Sequence, residues 1–164
     1  MEERVLYDVS KGLKLPEPTP LERAMKIALE AHAGQKDKAG APYVLHPLRL
    51  MLALEDPVER IAAVLHDVVE DTPWTLDDLR TAGIPEEAVR LVDRVTEREG
   101  EESKEAYYGR ILEDPAAVRI KLADLDDNLD VRRLPEMTPE DTRRTNGYLG
   151  WRRRLMAALR ERTE

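Results

Sequence analysis

The hydrophobic positions of this chain recur with helical spacing. After Pro20, residues Leu21, Ala24, Met25, Ala28, Leu29 and His32 follow at three- and four-residue intervals, which line one face of an α-helix. Pro20, Pro47, Pro57, Pro85, Pro115 and Pro139 each stand where a first helical turn can open, because a missing N–H there breaks no intrahelical bond. Four of the residues before them, Thr19, Asp56, Asp114 and Thr138, carry an oxygen able to cap the exposed N–H groups. Thr75-Leu76-Asp77-Asp78 adds a start of the capping-box kind. No segment alternates apolar and polar residues between hairpin turns, as a half-buried strand would. The pattern predicts an all-α fold, a bundle of about seven helices. An irregular lead-in over 1–18 precedes a single domain over 19–164, with loops over 36–43, 97–104 and 132–139 and a long C-terminal helix.

The segment from Ile61 to Thr72 carries a second pattern. Read as one helix at about 100° per residue, His66, Glu70, Asp67 and Asp71 fall at about 0°, 40°, 100° and 140°. Ile61, Ala62, Val64, Leu65, Val68 and Val69 fill the opposite arc. One face is core, and the other gathers an imidazole and three carboxylates. Like charges at this spacing destabilise a helix by about 0.2–0.5 kcal/mol per pair, and no Lys or Arg between Ile61 and Thr72 offsets them. A divalent cation turns that repulsion into affinity. His66 and Asp67 are suited to ligate it, leaving Glu70 and Asp71 to hold and deprotonate a water.

Composition narrows the chemistry. The 164 residues contain no Cys, which excludes disulfides, thiolate metal sites and cysteine nucleophiles. Phe is absent and aromatics make up 4%, so the expected core is Leu, Val, Ile, Ala and Met. A net charge of −8 argues against nucleic acid or an anionic membrane as partner, since both are polyanions, although a small phosphorylated ligand can be held by local positive charge. The Arg152-Arg153-Arg154 run reads as a solvated helix face. The amino terminus lacks the pattern of a signal peptide and no stretch is apolar enough to span a bilayer, so the expected compartment is the cytoplasm.

Two further clusters share a helix face or a helix entry. Asp124, Asp127 and Asn128 are spaced i, i+3, i+4, with Lys121 one turn before. Gly40-Ala41-Pro42-Tyr43-Val44-Leu45-His46-Pro47 places His46 directly before a proline helix start, while His32 lies on an apolar stripe and reads as a core histidine.

The order of these segments, Ala31-His32-Ala33-Gly34-Gln35, Gly40 to Pro47, Leu65-His66-Asp67-Val68-Val69-Glu70-Asp71-Thr72 and Lys121-Leu122-Ala123-Asp124, resembles the HD-domain hydrolases of the RelA/SpoT type, most of all the small stand-alone alarmone hydrolases. The resemblance runs from about Leu21 to Asp130. It implies an HD helical bundle with a metal site between helices, and hydrolysis of the 3′-pyrophosphate of ppGpp-like nucleotides. It implies His46, His66, Asp67 and Asp124 as metal ligands, Mn²⁺ as the favoured metal, and Glu70 and Asp71 as the water-activating pair. Lys36 and Lys38 of the basic loop, Tyr43 of the Gly-x-Pro-Tyr motif and Asn128 correspond to substrate-binding positions. Three positions depart from the family pattern, all expected to touch substrate. Asp37 stands where the loop usually has Arg, Leu125 where a basic residue is common, and Asp127 where His or Tyr is usual. These departures leave two alternatives beside the alarmone reading: the same chemistry on another phosphorylated nucleotide, such as a nicotinamide dinucleotide phosphate, or a non-catalytic nucleotide- or metal-binding protein. Oligomeric state is not legible in the chain.

Overall fold

The computed structural model describes residues 16–162 except 99 and 101, and every regular element among them is helical. The nine α-helices are α1 (Pro20–Ala31), α2 (Leu45–Ala53), α3 (Pro57–Leu65), α4 (Val68–Asp71), α5 (Leu76–Thr81), α6 (Glu86–Val95), α7 (Lys104–Leu112), α8 (Pro115–Asn128) and α9 (Pro139–Arg160), with a 3₁₀ turn at Val131–Arg133. The lead-in is outside the described residues up to position 15.

Side-chain caps open most of the helices, as the sequence predicts. Thr19, Thr75 and Thr138 form reciprocal capping boxes with Glu22, Asp78 and Asp141, while Asp56 and Asp114 cap α3 and α8. Two starts shift. Pro85 becomes the residue before α6, and α2 begins at Leu45, which places His46 inside the first turn instead of ahead of it. Two helices have no start among those read from the sequence: α7, opened by Ser103, and the short α4.

The larger correction concerns Ile61 to Thr72. The expected single amphipathic helix is interrupted at His66–Asp67, between α3 and α4. The interruption falls where the His66 ring, through Nδ1, takes the carbonyl of Ala63, which an uninterrupted helix would offer to the backbone of Asp67. Nor does α3 have a polar face: Ile61, Ala62, Ala63, Val64 and Leu65 are all buried, and even Glu59 is buried against Arg119. The cause is position. α3 packs against α1, α2, α6 and α8 and runs through the middle of the hydrophobic cluster. Its C-terminus therefore delivers His66 and Asp67 into the interior.

The core is mostly aliphatic, yet Tyr107 is its largest fully buried side chain, donating its hydroxyl to the Val95 carbonyl at 2.6 Å. Tyr108 stacks on Trp151 at 3.7 Å, so the few aromatics concentrate at the seam between α7 and α9. The Arg152–Arg154 run is only partly a solvated face: Arg152 pairs with Asp126 of α8, and Arg154 pairs with Glu105 of α7 at 2.9 Å while lying over Trp151.

Candidate metal centre and catalytic cavity

Three helix ends and the face of a fourth converge on one cavity of about 390 Å³. α2 contributes His46 from its first turn, the α3–α4 break contributes Asp67 with the buried His66 behind it, and α8 contributes Asp124 from its last turn. One ligand atom each from His46, His66 and Asp67 lies within 4.8 Å of the others. Asp124 Oδ1 joins them at 3.3 Å from His46 Nε2 and 3.9 Å from His66 Nε2. Residues read from three separate motifs are thus brought together, three of them as one compact group with Asp124 against its two imidazoles.

The donor atoms are prepared for a cation. His66 donates Nδ1–H to the Ala63 carbonyl at 2.9 Å, which leaves its Nε2 as the lone-pair nitrogen. That Nε2 is buried, lies 2.9 Å from the Asp67 carboxylate, and makes no aligned hydrogen bond among the described residues. His46 engages Asp127 through Nδ1 at 2.7 Å and turns its Nε2 toward Asp124 and Asp67. Two imidazole nitrogens and two carboxylates form a mixed N/O set suited to a borderline divalent metal. The residues fit such an ion.

The charges show the same demand. Burial disfavours a charge on His46, yet Asp124 and Asp127 outweigh it and push the imidazole up to about 9. Burial likewise raises Asp67, but His66 beside it overcomes that and holds the carboxyl at about 2. Asp124 is held well below the usual carboxylate range against its own burial, chiefly by the Lys121 ammonium 2.6 Å away. The cage favours a positive occupant, and protons fill that role when nothing else does.

Glu70 and Asp71 also line the cavity, one turn past Asp67. Desolvation raises the Glu70 carboxyl to about 7, although the backbone N–H of Glu97 donates to it at 2.8 Å. Asp71 is raised too, by burial and then by Asp67.

The expected substrate-binding residues all line this cavity, in different states. Lys36 and Lys38 flank the turn at its mouth. The Tyr43 hydroxyl donates to Asp67, so its place is against the metal cluster. The Asn128 amide nitrogen is spent on the side chain and backbone carbonyl of Asp124, leaving only its oxygen for a ligand. The departures from the family pattern have local explanations. Asp37 organises the loop by accepting from the backbone of Ala39 and Ala41, both at 2.9 Å, and reaches Arg133 at 3.4 Å. Leu125 is core, and Asp127 serves His46 and two arginines. Lys121, which sequence places near the site, is buried on Asp124. His32 is buried as expected, bonded to Gln35 through Nδ1 and packed on the Tyr43 ring, but it is only half satisfied, since its buried Nε2 has no hydrogen-bond partner among the described residues.

Sequence reading missed the far wall. Lys104 and Tyr108 from α7, Arg133 from the 3₁₀ turn, and Arg144 and Tyr148 from α9 complete the cavity. Arg144 and Tyr148 are spaced i, i+4 and so share a helix face, but nothing local points that face toward a site 20 residues upstream in sequence.

An all-helical bundle with a His/His-Asp/Asp cluster at its centre is the architecture of an HD domain, and residues 24–106, slightly more than half of the chain, match the HD domain family model. The chain belongs to that family. A guanosine-3′,5′-bis(diphosphate) 3′-pyrophosphohydrolase of Aquifex aeolicus is 38% identical over 120 residues, 66% of this chain and 17% of the relative. The bifunctional (p)ppGpp synthase/hydrolase SpoT of Escherichia coli is 31% identical over 137 residues, 76% of this chain and 19% of the relative. A solved structure described as a metazoan ortholog of SpoT that hydrolyses ppGpp superposes with a TM-score of 0.68 at 27% identity, covering 90% of this chain and 89% of the other. The chain spans less than a quarter of the length of these curated relatives. Asp124 and Asn128 lie beyond the matched segment, and the fold brings them to it.

Proposed function

We propose that this chain is a metal-dependent phosphohydrolase that removes pyrophosphate from the 3′ position of ppGpp-like nucleotides, leaving GDP or GTP, and that it works in the cytoplasm as one domain over residues 19–164. The observation that carries the reading is the single cavity in which His46, Asp67 and Asp124, backed by the buried His66, face the Glu70–Asp71 pair and basic side chains. The names of the Aquifex and Escherichia relatives and of the superposed structure support the substrate.

His46, His66, Asp67 and Asp124 would hold the ion, for which Mn²⁺ is our choice among the metals this donor set suits. A divalent ion bound there would supply Lewis-acid chemistry, polarising the scissile phosphate and lowering the pKa of water. Glu70 and Asp71 orient the attacking water and take its proton. A carboxyl at about 7 is a base matched to neutral pH, where proton affinity and the ionised fraction are both substantial. Lys36 and Lys38 hold phosphate oxygens at the mouth, and the Asn128 oxygen faces the sugar. Tyr43 fixes Asp67 and walls the nucleotide channel. The water oxygen bonds to the phosphorus carried by the 3′ oxygen, that P–O bond breaks, and the 3′ oxygen takes a proton to leave as the hydroxyl of GDP or GTP, with pyrophosphate as the other product.

A second reading, the same chemistry on another nucleotide such as a nicotinamide dinucleotide phosphate, is favoured by Asp37. Its carboxylate occupies the loop and binds Arg133, instead of offering a cation to a base. Incubating a nucleotide panel with the protein and Mn²⁺, with phosphate and pyrophosphate followed separately, decides between them. The expected result is pyrophosphate released from ppGpp. A preference for a substrate lacking a 3′-diphosphate selects the second reading, and nucleotide bound but recovered intact makes the protein a sensor.

A further inference from the structure

The Asp127 carboxylate accepts from three residues on two elements, His46 and Arg49 of α2 and Arg133 of the 3₁₀ turn. His46 Nδ1 approaches Oδ2 at 2.7 Å, Arg49 NH2 at 2.9 Å and Arg133 NH2 at 3.1 Å, while Arg133 also binds the Asp127 backbone carbonyl at 2.6 Å. The side chains of His46 and Asp127 are 8% and 11% exposed, so bulk water does not compete for this contact. Asp127 follows Asp124 by three residues on α8, so one helix face presents a carboxylate to each nitrogen of the same imidazole. A neutral imidazole has one N–H. With a cation in place of a proton at Nε2, which faces Asp67 and Asp124, the one remaining N–H is on Nδ1, where Asp127 accepts it. His66 reaches the same tautomer by another route, through the Ala63 carbonyl.

We infer that Asp127, braced by Arg49 and Arg133, is the positioning residue of His46, fixing the tautomer and ring orientation in which Nε2 serves as a metal donor. The two guanidiniums balance the carboxylate, so it orients the ring without deepening the negative charge of the cage. Arg133 carries the brace onward to Asp37, so the turn that holds the basic loop and the ligand-positioning carboxylate share one side chain. The inference rests on the metal-site reading above.

The test is metal affinity, with Asp127→Ala and Asp127→Asn each shown to be folded by circular dichroism. Outer-sphere partners of metal-bound histidines are typically worth about 10- to 100-fold in affinity. Asp127→Ala is expected to weaken Mn²⁺ binding by that factor in calorimetry, while Asp127→Asn, whose amide oxygen still accepts from Nδ1, loses less. In Zn²⁺-loaded protein, the slowly exchanging ring N–H proton of His46 should be visible by NMR in the wild type and lost in Asp127→Ala, with that of His66 unchanged. A merely structural role predicts neither the Asn rescue nor the selective loss. A folded Asp127→Ala protein that binds Mn²⁺ as tightly as wild type, with the His46 proton retained, overturns the inference. If the Ala variant does not fold, Zn²⁺-loaded wild-type protein decides: a slowly exchanging proton on His46 Nδ1 supports the role, and a ring proton on Nε2, or none on Nδ1, overturns it. Wild-type protein that takes up neither Mn²⁺ nor Zn²⁺ overturns the metal reading and this inference together, a different result from a silent variant.

Discussion

Burial and charge oppose each other at nearly every ionisable side chain of the cluster, and their balance gives metal-free protein an unusual pH dependence. His46 is raised from 6.5 to about 9, so it contributes stability that is complete below pH 6.5 and lost as pH climbs through 9. Glu70 is raised from 4.5 to about 7, and its ionisation subtracts stability over that interval. Asp67, held at about 2 against 3.8, contributes above pH 3.8 and fails only as pH falls toward 2. All three signs place the maximum at mildly acidic pH. Thermal melts of EDTA-treated protein should therefore fall steadily between pH 6 and about 9, and a melting temperature that is flat or rising over this range would contradict the assigned balance. At the same scale, Glu70→Gln keeps the shape of the side chain and removes the proposed base. We expect kcat to drop by about 10²- to 10⁴-fold with Mn²⁺ affinity retained, measured by pyrophosphate release and calorimetry on the same preparation.

Among the elements, α3 couples stability to the site. It is buried on all sides and ends at His66, so a cavity made inside it loosens the residues it delivers. Leu65 is fully buried, and Leu65→Ala is expected to cost about 2–5 kcal/mol in urea unfolding. It should also weaken Mn²⁺ binding, while a cap deletion at α9, Thr138→Ala, should cost about 1 kcal/mol and leave metal affinity unchanged. Similar metal affinities for Leu65→Ala and wild type would show that the His66–Asp67 turn is held by α4 and the loops instead. The helices themselves were legible because their signals are local. A proline with a capping Thr or Asp before it fixes a first turn whatever the rest of the chain does, and α1, α3, α8 and α9 begin where those residues predict. The break at His66–Asp67 was not legible. Helical periodicity continues across it, and the competing acceptor is a backbone carbonyl, which has no sequence signature.

For the molecule as a whole, a net charge of −8 means that an anionic nucleotide is attracted only locally, since at about 0.15 M salt the Debye length is about 8 Å. Acidic and basic side chains nearly balance along the cavity, with Asp37, Asp67, Glu70, Asp71, Glu97, Asp124 and Asp130 against Lys36, Lys38, Lys104, Lys121, Arg133 and Arg144, so a divalent ion tips it to positive. The ligands come from α2, the α3–α4 turn and α8, and the ion ties these together only when all are in place. Mn²⁺ at about 100 times its Kd should add about 2.7 kcal/mol to stability, reversed by EDTA. Nucleotide affinity should fall on the same treatment. Equal nucleotide binding with and without metal, by calorimetry, would move the phosphate site away from this cluster.

The chain alone determined that the fold is helical and where most helices begin, and it singled out the residues we propose as the chemical nucleus. Helix periodicity, caps and the His66-Asp67 and Glu70-Asp71 strings act over a few residues and survive any packing. Only the tertiary structure decided that α3 lies at the centre, that Tyr107 is core, and that α7, the 3₁₀ turn and α9 close the far wall of the cavity with Lys104, Arg133 and Arg144. It also gave Asp127 its place beside His46, 81 residues away in sequence. A cavity wall and an orienting hydrogen bond are made by contacts between distant segments, and such contacts exist only once the hydrophobic faces of the helices have chosen their neighbours.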